Sequence, residues 1–264
     1  MKKLILGAAF AALTGCAHMH GHHHDQDTAE TVAPASFDYA TVFATDIGRP
    51  EADYADYTLR KAQDVLAFTG MRPGMTVVEM EAGEGFYTEL FAAVVGDEGK
   101  VYQQNPAQFD GFLGDSLEKR GHLTRVSNVE YAKVPFDAMG MSDGEADMVT
   151  WFLGPHELWF VPKGEELGVF GDAEGSFAEV ARVLKPGGTF IALDHSAPDG
   201  SQASTGNDTH RIDKAIVISM AEAVGLTLID ESDVLANADD DRTVNVFAAS
   251  VRRKTDRFLL KFRK

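Results

Sequence analysis

Residues 76–105, TVVEMEAGEGFYTELFAAVVGDEGKVYQQN, restrict the possible folds more than any other stretch of the chain. Pro73-Gly74 opens a short apolar run, residues 76–80, with the length and composition of a buried strand. Glu81-Ala82-Gly83-Glu84-Gly85 follows as a tight, glycine-bearing turn. Phe86, Leu90, Phe91 and Val94 then recur at helical spacing up to residue 95. Gly96-Asp97-Glu98-Gly99 turns the chain again, and Lys100-Val101-Tyr102 reads as a second strand. Two strands joined through a helix belong side by side in a parallel sheet, with a right-handed crossover.

A turn of this kind is where such chains hold a nucleotide-like ligand. Glycines allow close approach to the backbone, and the helix that follows presents free N–H groups. Glu79, at the end of the first strand, is placed to offer a carboxylate to an ammonium group. An ordinary tight turn has the same requirement for glycine, so the turn alone does not choose between the two readings.

Two further segments bear on the choice. Residues 147–152 (DMVTWF) read as a strand, and residues 177–190 (FAEVARVLKPGGTF) read as a helix, a turn and another strand. Together with the acid-and-glycine turn, and in this order, they resemble the class I S-adenosylmethionine-dependent methyltransferases. The resemblance covers residues 51–264. It implies an α/β fold, a doubly wound, seven-stranded, mostly parallel sheet whose last strand is antiparallel and lies between the fifth and sixth. It also implies S-adenosylmethionine as cofactor, held by Glu79, Glu81, Ala82, Gly83 and Gly85, with Gln103 and Gln104 at the ribose and Phe152 in the pocket wall. More narrowly, the tail resembles a group of exported bacterial methyltransferase-like proteins. It carries Glu231-Ser232-Asp233, Asp239-Asp240-Asp241-Arg242, Lys254-Thr255-Asp256-Arg257-Phe258 and Phe262-Arg263-Lys264. Two departures stand out. Glu81 replaces the first glycine of the family turn, and Gln103 and Gln104 replace the acid that grips the ribose hydroxyls. A carboxamide still bonds a hydroxyl, without the strength a charge confers.

At the other end, Lys2-Lys3, an apolar run over residues 4–13 and small residues after it read as a secretory signal, too short for a membrane span. Residues 13–16, Leu-Thr-Gly-Cys, resemble the lipobox of bacterial lipoproteins. That resemblance implies loss of residues 1–15, a lipid on Cys16 and, with Ala17 next, sorting to the outer membrane. The expected location is therefore the periplasm, with the chain anchored to the membrane by lipid. Cys16 is the sole cysteine, so no disulfide can form within the chain. His18, His20, His22, His23 and His24 form either a transition-metal chelator or a polar tether. Residues 16–36 have the composition of a disordered linker.

Residues 37–264 suffice for one sizeable α/β domain. A formal net charge of -17 repels phosphate backbones, which makes a small molecule, and not nucleic acid, the expected substrate. A helix is expected over residues 52–68, either over the cofactor mouth or packed on the sheet, and a weaker one over 109–123. Strands are expected at 128–134, 226–229 and 243–251. The acids Asp239, Asp240 and Asp241 read as an exposed turn, and the basic residues 252–254 and 257–264 as solvated strand edges or a contact with anionic lipid.

Ligands of open α/β sheets bind beyond the carboxyl ends of the strands. The fourth strand leads to Gly154-Pro155-His156-Glu157. The fifth leads to Asp194-His195-Ser196 and then to His210-Arg211. Histidine titrates near working pH and can take a proton from a hydroxyl or an amine. His156, His195 and His210, with Asp194 orienting one of them, are the catalytic candidates, or ligands of a divalent metal. Arg211 is placed either to bind a substrate carboxylate or to pair with a nearby acid. The function expected is small-molecule methyl transfer. The rival is a binding or scaffold lipoprotein that kept the fold and lost the chemistry.

Overall fold

A computed structural model describes residues 37–264, which form one structural unit. The signal segment, Cys16 and the histidine tract lie outside the described residues. Helices α1 (Ala40–Ala44), α2 (Glu51–Leu59) and α3 (Ala62–Thr69) precede β1 (Thr76–Met80), α4 (Phe86–Val95) and β2 (Lys100–Asn105). The short helices α5 (Asp110–Leu113), α6 (Ser116–Arg120) and α7 (His122–Arg125) lead to β3 (Val129–Lys133) and β4 (Ala146–Phe152). Then come α8 (Ala173–Val183), β5 (Leu184–His195), α9 (Thr205–Thr209), α10 (Lys214–Ala223), β6 (Thr227–Ser232) and β7 (Arg257–Arg263). Among the described residues, no helix is long and apolar enough to cross a membrane.

The strands form one seven-stranded sheet in the order β3-β2-β1-β4-β5-β7-β6. β1 to β5 pair in parallel, and β7 runs antiparallel to both neighbours. Side chains alternate across the sheet, so each central strand feeds two cores. Val78, Met80, Trp151, Phe190 and Phe262 pack in one apolar cluster, and Val77, Met148, Phe152, Ile191 and Leu259 in the other.

The structure corrects five of the expectations for the fold. The seventh strand lies where expected in the sheet but is built from Arg257–Arg263, not from residues 243–251. Both segments are short, apolar-rich runs, and the later one is the one covered on both faces: Phe258, Leu259, Leu260 and Phe262 are all buried. Val244 and Phe247 stay exposed in a loop of turns. The tail is thus a central strand and not a solvated edge. The long helix expected over 52–68 is broken at Arg60 and Lys61, where Lys61 turns left-handed at φ 44°. The helix expected over 109–123 is divided by Gly114 and Gly121, at φ 53° and 65°. Finally, Asp240 is buried, not solvated.

Candidate active site

The sheet grows from β1 through β2 to β3, and the chain then returns to place β4 on the other side of β1. Such a reversal leaves a crevice at the carboxyl ends of the two strands. A cavity of about 280 Å³ opens there. Glu79, Glu81, Ala82, Gly83, Phe86, Tyr87, Phe109, Phe152 and Leu153 line it, and Arg60 reaches it from the break between α2 and α3. α3 itself packs on the sheet through Ala62, Val65 and Leu66.

The turn after β1 is held from below. Glu81, Gly83 and Gly85 adopt φ of 52°, 58° and 100°. For glycine that conformation is free, whereas for Glu81 it costs roughly 1–2 kcal/mol. Two contacts offset that cost. The Glu81 amide donates to Gln104 Oε1 at 3.0 Å, and Trp151 Nε1 donates to Glu81 Oε2 at 3.0 Å. The side chain therefore turns toward the end of β4, leaving the hollow above Ala82 and Gly83 open. Burial pushes the Glu81 carboxyl well above its ordinary range, and the charge of Glu157 acts in the same direction. Leu153, leaving β4, is also left-handed at φ 61°, so two non-glycine residues bear strain on opposite sides of the crevice.

Three site residues expected in the cavity are not among those that line it. Gly85 faces His122, whose Nε2 lies 2.8 Å from where a Cβ would stand. Gln103 and Gln104 are fully buried and spend their carboxamides internally. Gln103 Nε2 donates to Gly83 O at 3.1 Å, and its Oε1 contacts His122 Nε2 at 2.5 Å. Gln104 Nε2 donates to Val134 O at 2.5 Å. The true carboxyl end of β2 is Asn105, which sequence reading missed. Its Oδ1 accepts from Gly83 N and its Nδ2 donates to Gly83 O, both at 2.9 Å. Pro106 was the available signal, because the residue before a proline favours extended backbone and so carries the strand to Asn105.

Glu79 accepts a 2.5 Å hydrogen bond from Thr88 Oγ1. Burial raises its carboxyl to about 8, with the Thr88 bond and the charges of Arg120, Arg49 and Arg60 acting against the rise. Arg60 stacks over the Phe86 ring at 4.2 Å, pairs with Asp56 at 3.4 Å and supplies a cation at the cavity mouth. It too was missed, because only the helix break aims it there.

The histidines gather beyond β4 and β5. His156 Nδ1 meets Asp194 Oδ1 at 2.8 Å, and the His156 amide donates to Asp194 Oδ2 at 2.8 Å. His156 Nε2 stands 3.3 Å from Glu157 Oε1 and 3.3 Å from His210 Nδ1. Burial opposes a charge on His156, but Asp194 and Glu157 prevail and hold its imidazole well above the usual histidine range. Burial likewise opposes the Glu157 charge, yet hydrogen bonds from His156 and His210 bring its carboxyl down to about 2. His195 stands apart: its Nδ1 bonds Thr255 Oγ1 at 2.7 Å, and burial, then the charge of His156, hold it well below the ordinary value. It lines a second cavity of about 150 Å³ that shares Arg60 and Leu153 with the first.

Arg211 serves the fold. It is fully buried, with Nη1 on Asp240 Oδ2 at 2.9 Å and on Ser196 O at 3.0 Å, and Nε on Val244 O at 2.8 Å. It ties the loop before β7 to the end of β5 and offers nothing to a substrate carboxylate.

The fold is that of the class I S-adenosylmethionine-dependent methyltransferases. A crystal structure of an S-adenosylmethionine-dependent methyltransferase from Aquifex aeolicus matches with a TM-score of 0.55, 18% identity and coverage of 86% of this chain and 98% of that one. The [4+2]-cyclase SpnF matches with a TM-score of 0.52, 16% identity and coverage of 81% and 84%. In sequence the chain is similar to ubiquinone/menaquinone biosynthesis C-methyltransferases. The ubiquinone/menaquinone biosynthesis C-methyltransferase UbiE of Shewanella halifaxensis is 30% identical over 129 residues, 49% of this chain and 46% of the relative. The chain thus spans about half the length of the relatives it matches. No family model matches it.

Proposed function

We propose that the protein is an S-adenosylmethionine-dependent methyltransferase acting on a small molecule, exported and anchored by lipid on Cys16. One observation carries the enzymatic part: an open cavity at the β1–β4 reversal with a carboxyl, a guanidinium and aromatic walls. Glu79 would take the ammonium of the methionyl part, Arg60 its carboxylate, and Ala82, Gly83 and Phe152 the apolar contact. When bound, the cofactor supplies a methyl group on a positively charged sulfur. The chain's part is to align the acceptor and keep water out. Among the histidines, His195 suits a proton acceptor better than His156. It is held neutral, and in the tautomer that donates Nδ1–H to Thr255 its Nε2 is free to accept a proton from a substrate in the adjoining cavity. Residues 1–16 support the export and anchoring.

A second reading, a degenerate binding protein, is favoured by the end of β2. Gln103, Gln104 and Asn105 bond to the turn after β1, and the end of β2 carries carboxamides where the family has an acid. The similar fold of a cyclase shows that this architecture does not by itself fix a chemistry. Calorimetric titration with S-adenosylmethionine and with S-adenosylhomocysteine separates the readings. Saturable binding of both, reduced at least tenfold by Glu79→Gln, is the expected result. No heat and no thermal shift at millimolar ligand would leave the binding protein.

A further inference from the structure

The geometry points to a second ligand: His156, Glu157 and His210 form a three-donor site for a borderline divalent transition metal, with zinc as its probe. This inference stands whether or not methyl transfer does. His156 Nε2, Glu157 Oε1 and His210 Nδ1 lie at the corners of a nearly equilateral triangle with sides of 3.3, 3.3 and 3.5 Å. Tetrahedral zinc with bonds of about 2.05 Å separates its donors by about 3.3 Å, and would sit about 0.7 Å out of such a plane. An octahedral ion of magnesium's size would draw the donors to about 3.0 Å. Two imidazoles and one carboxylate also suit the softer ion by type.

Three further observations favour a ligand. The His156 ring is oriented from behind: Asp194 takes Nδ1, which leaves Nε2 to face the triangle, the arrangement by which a carboxylate fixes a metal-binding imidazole. Asp194 is itself held by the His156 and His195 amides, so the whole support is buried and fixed. Glu157 and His210 keep 14% and 12% of their side-chain surface exposed, against 4% for His156, which gives an ion a way in. Three protein donors leave the fourth position for water or a substrate atom, the pattern of a reactive and not a structural site. His195 is no part of the set, because its ring stands 6.1 Å from that of His156, outside the group of converging donors.

The competing arrangement is a metal-free cluster in which protons alone bridge the same atoms. Full-length protein with His18, His20, His22, His23 and His24 changed to serine removes binding by the tract. Zinc and cobalt(II) are then titrated by calorimetry and visible absorption. One equivalent bound at micromolar or tighter affinity, with tetrahedral cobalt bands, is expected. His210→Ala and Glu157→Gln should each lose at least 100-fold, Asp194→Asn 10- to 100-fold, and His195→Ala less than threefold. Circular dichroism checks that each variant is folded. Absence of a stoichiometric ion at 100 µM metal would overturn the site in favour of the proton-bridged cluster. So would cobalt bands that persist in folded His210→Ala.

Discussion

Trp151 Nε1 donates to Glu81 Oε2 across 3.0 Å, joining the end of β4 to a left-handed residue that begins the turn after β1. This bond decides whether an acid at position 81 blocks the crevice or forms part of its wall. Gly154 shows how closely the acid is packed, since a Cβ there would fall 2.0 Å from Glu81 Oε2.

Removing one end of that bond is expected to cost more than removing both. Trp151→Phe leaves a buried carboxyl unpaired and should destabilise the fold by about 1–3 kcal/mol. Adding Glu81→Gly removes the acid and the left-handed strain together, and should restore part of the loss. Chemical denaturation of the two single variants and the double variant measures the coupling. Simple additivity would show that the two residues do not interact.

Glu79 predicts a loss of stability toward alkaline pH. Its folded value of about 8 lies above the ordinary 4.5, so the folded state keeps a proton that the unfolded chain releases. The contribution is full below pH 4.5 and disappears as pH rises through about 8, with an amplitude on the order of a few kcal/mol. Glu79→Gln should flatten this slope. Binding of a cationic ligand should also release a proton, seen as a buffer-dependent heat.

His122 predicts the opposite slope in acid. Burial lowers it to about 4, and its Nδ1 is buried with no hydrogen-bond partner among the described residues, so the folded state holds it neutral. The unfolded chain takes up a proton near 6.5, and stability therefore falls as pH drops from 6.5 to about 4. His122→Gln should remove that part of the pH profile while leaving the alkaline limb of Glu79 unchanged.

Arg211 and Asp240 predict a stability phenotype and not a substrate one. Arg211→Met strands a buried carboxylate and should cost roughly 3–5 kcal/mol, whereas adding Asp240→Asn should recover much of it. A change in the affinity for any acidic substrate, with the melting temperature unchanged, would count against this assignment.

Anchoring is tested directly. In a bacterial host that processes lipoproteins, the parent chain should take up labelled fatty acid and sediment with membranes. Cys16→Ser should do neither.

The strand–turn–helix–strand unit was legible because every cue in it is local: an apolar run, two glycines, a helical period. The position of the last strand in the sheet was implied by the resemblance to the methyltransferases, and the structure agrees with it. The residues of that strand were not legible, because 243–251 and 257–263 are both short, apolar-rich runs that could form it. Burial of Phe258 to Phe262 on both faces, which depends on β5 and β6, made the choice. Gly85 was assigned to the ligand because a glycine in a turn and a glycine under a ring look alike in sequence.

The sequence by itself determined the α/β class, the first parallel strand pair and the crevice at the first turn, because hydrophobic period and turn chemistry act over a few residues. Only the tertiary structure decided what the polar groups do. Asn105 clamps Gly83, Arg211 neutralises Asp240, and Glu157 joins His156 and His210. Partners such as these lie 22, 29 and more than 50 residues apart. A buried polar group must find a partner somewhere, but which one depends on how distant segments are brought together.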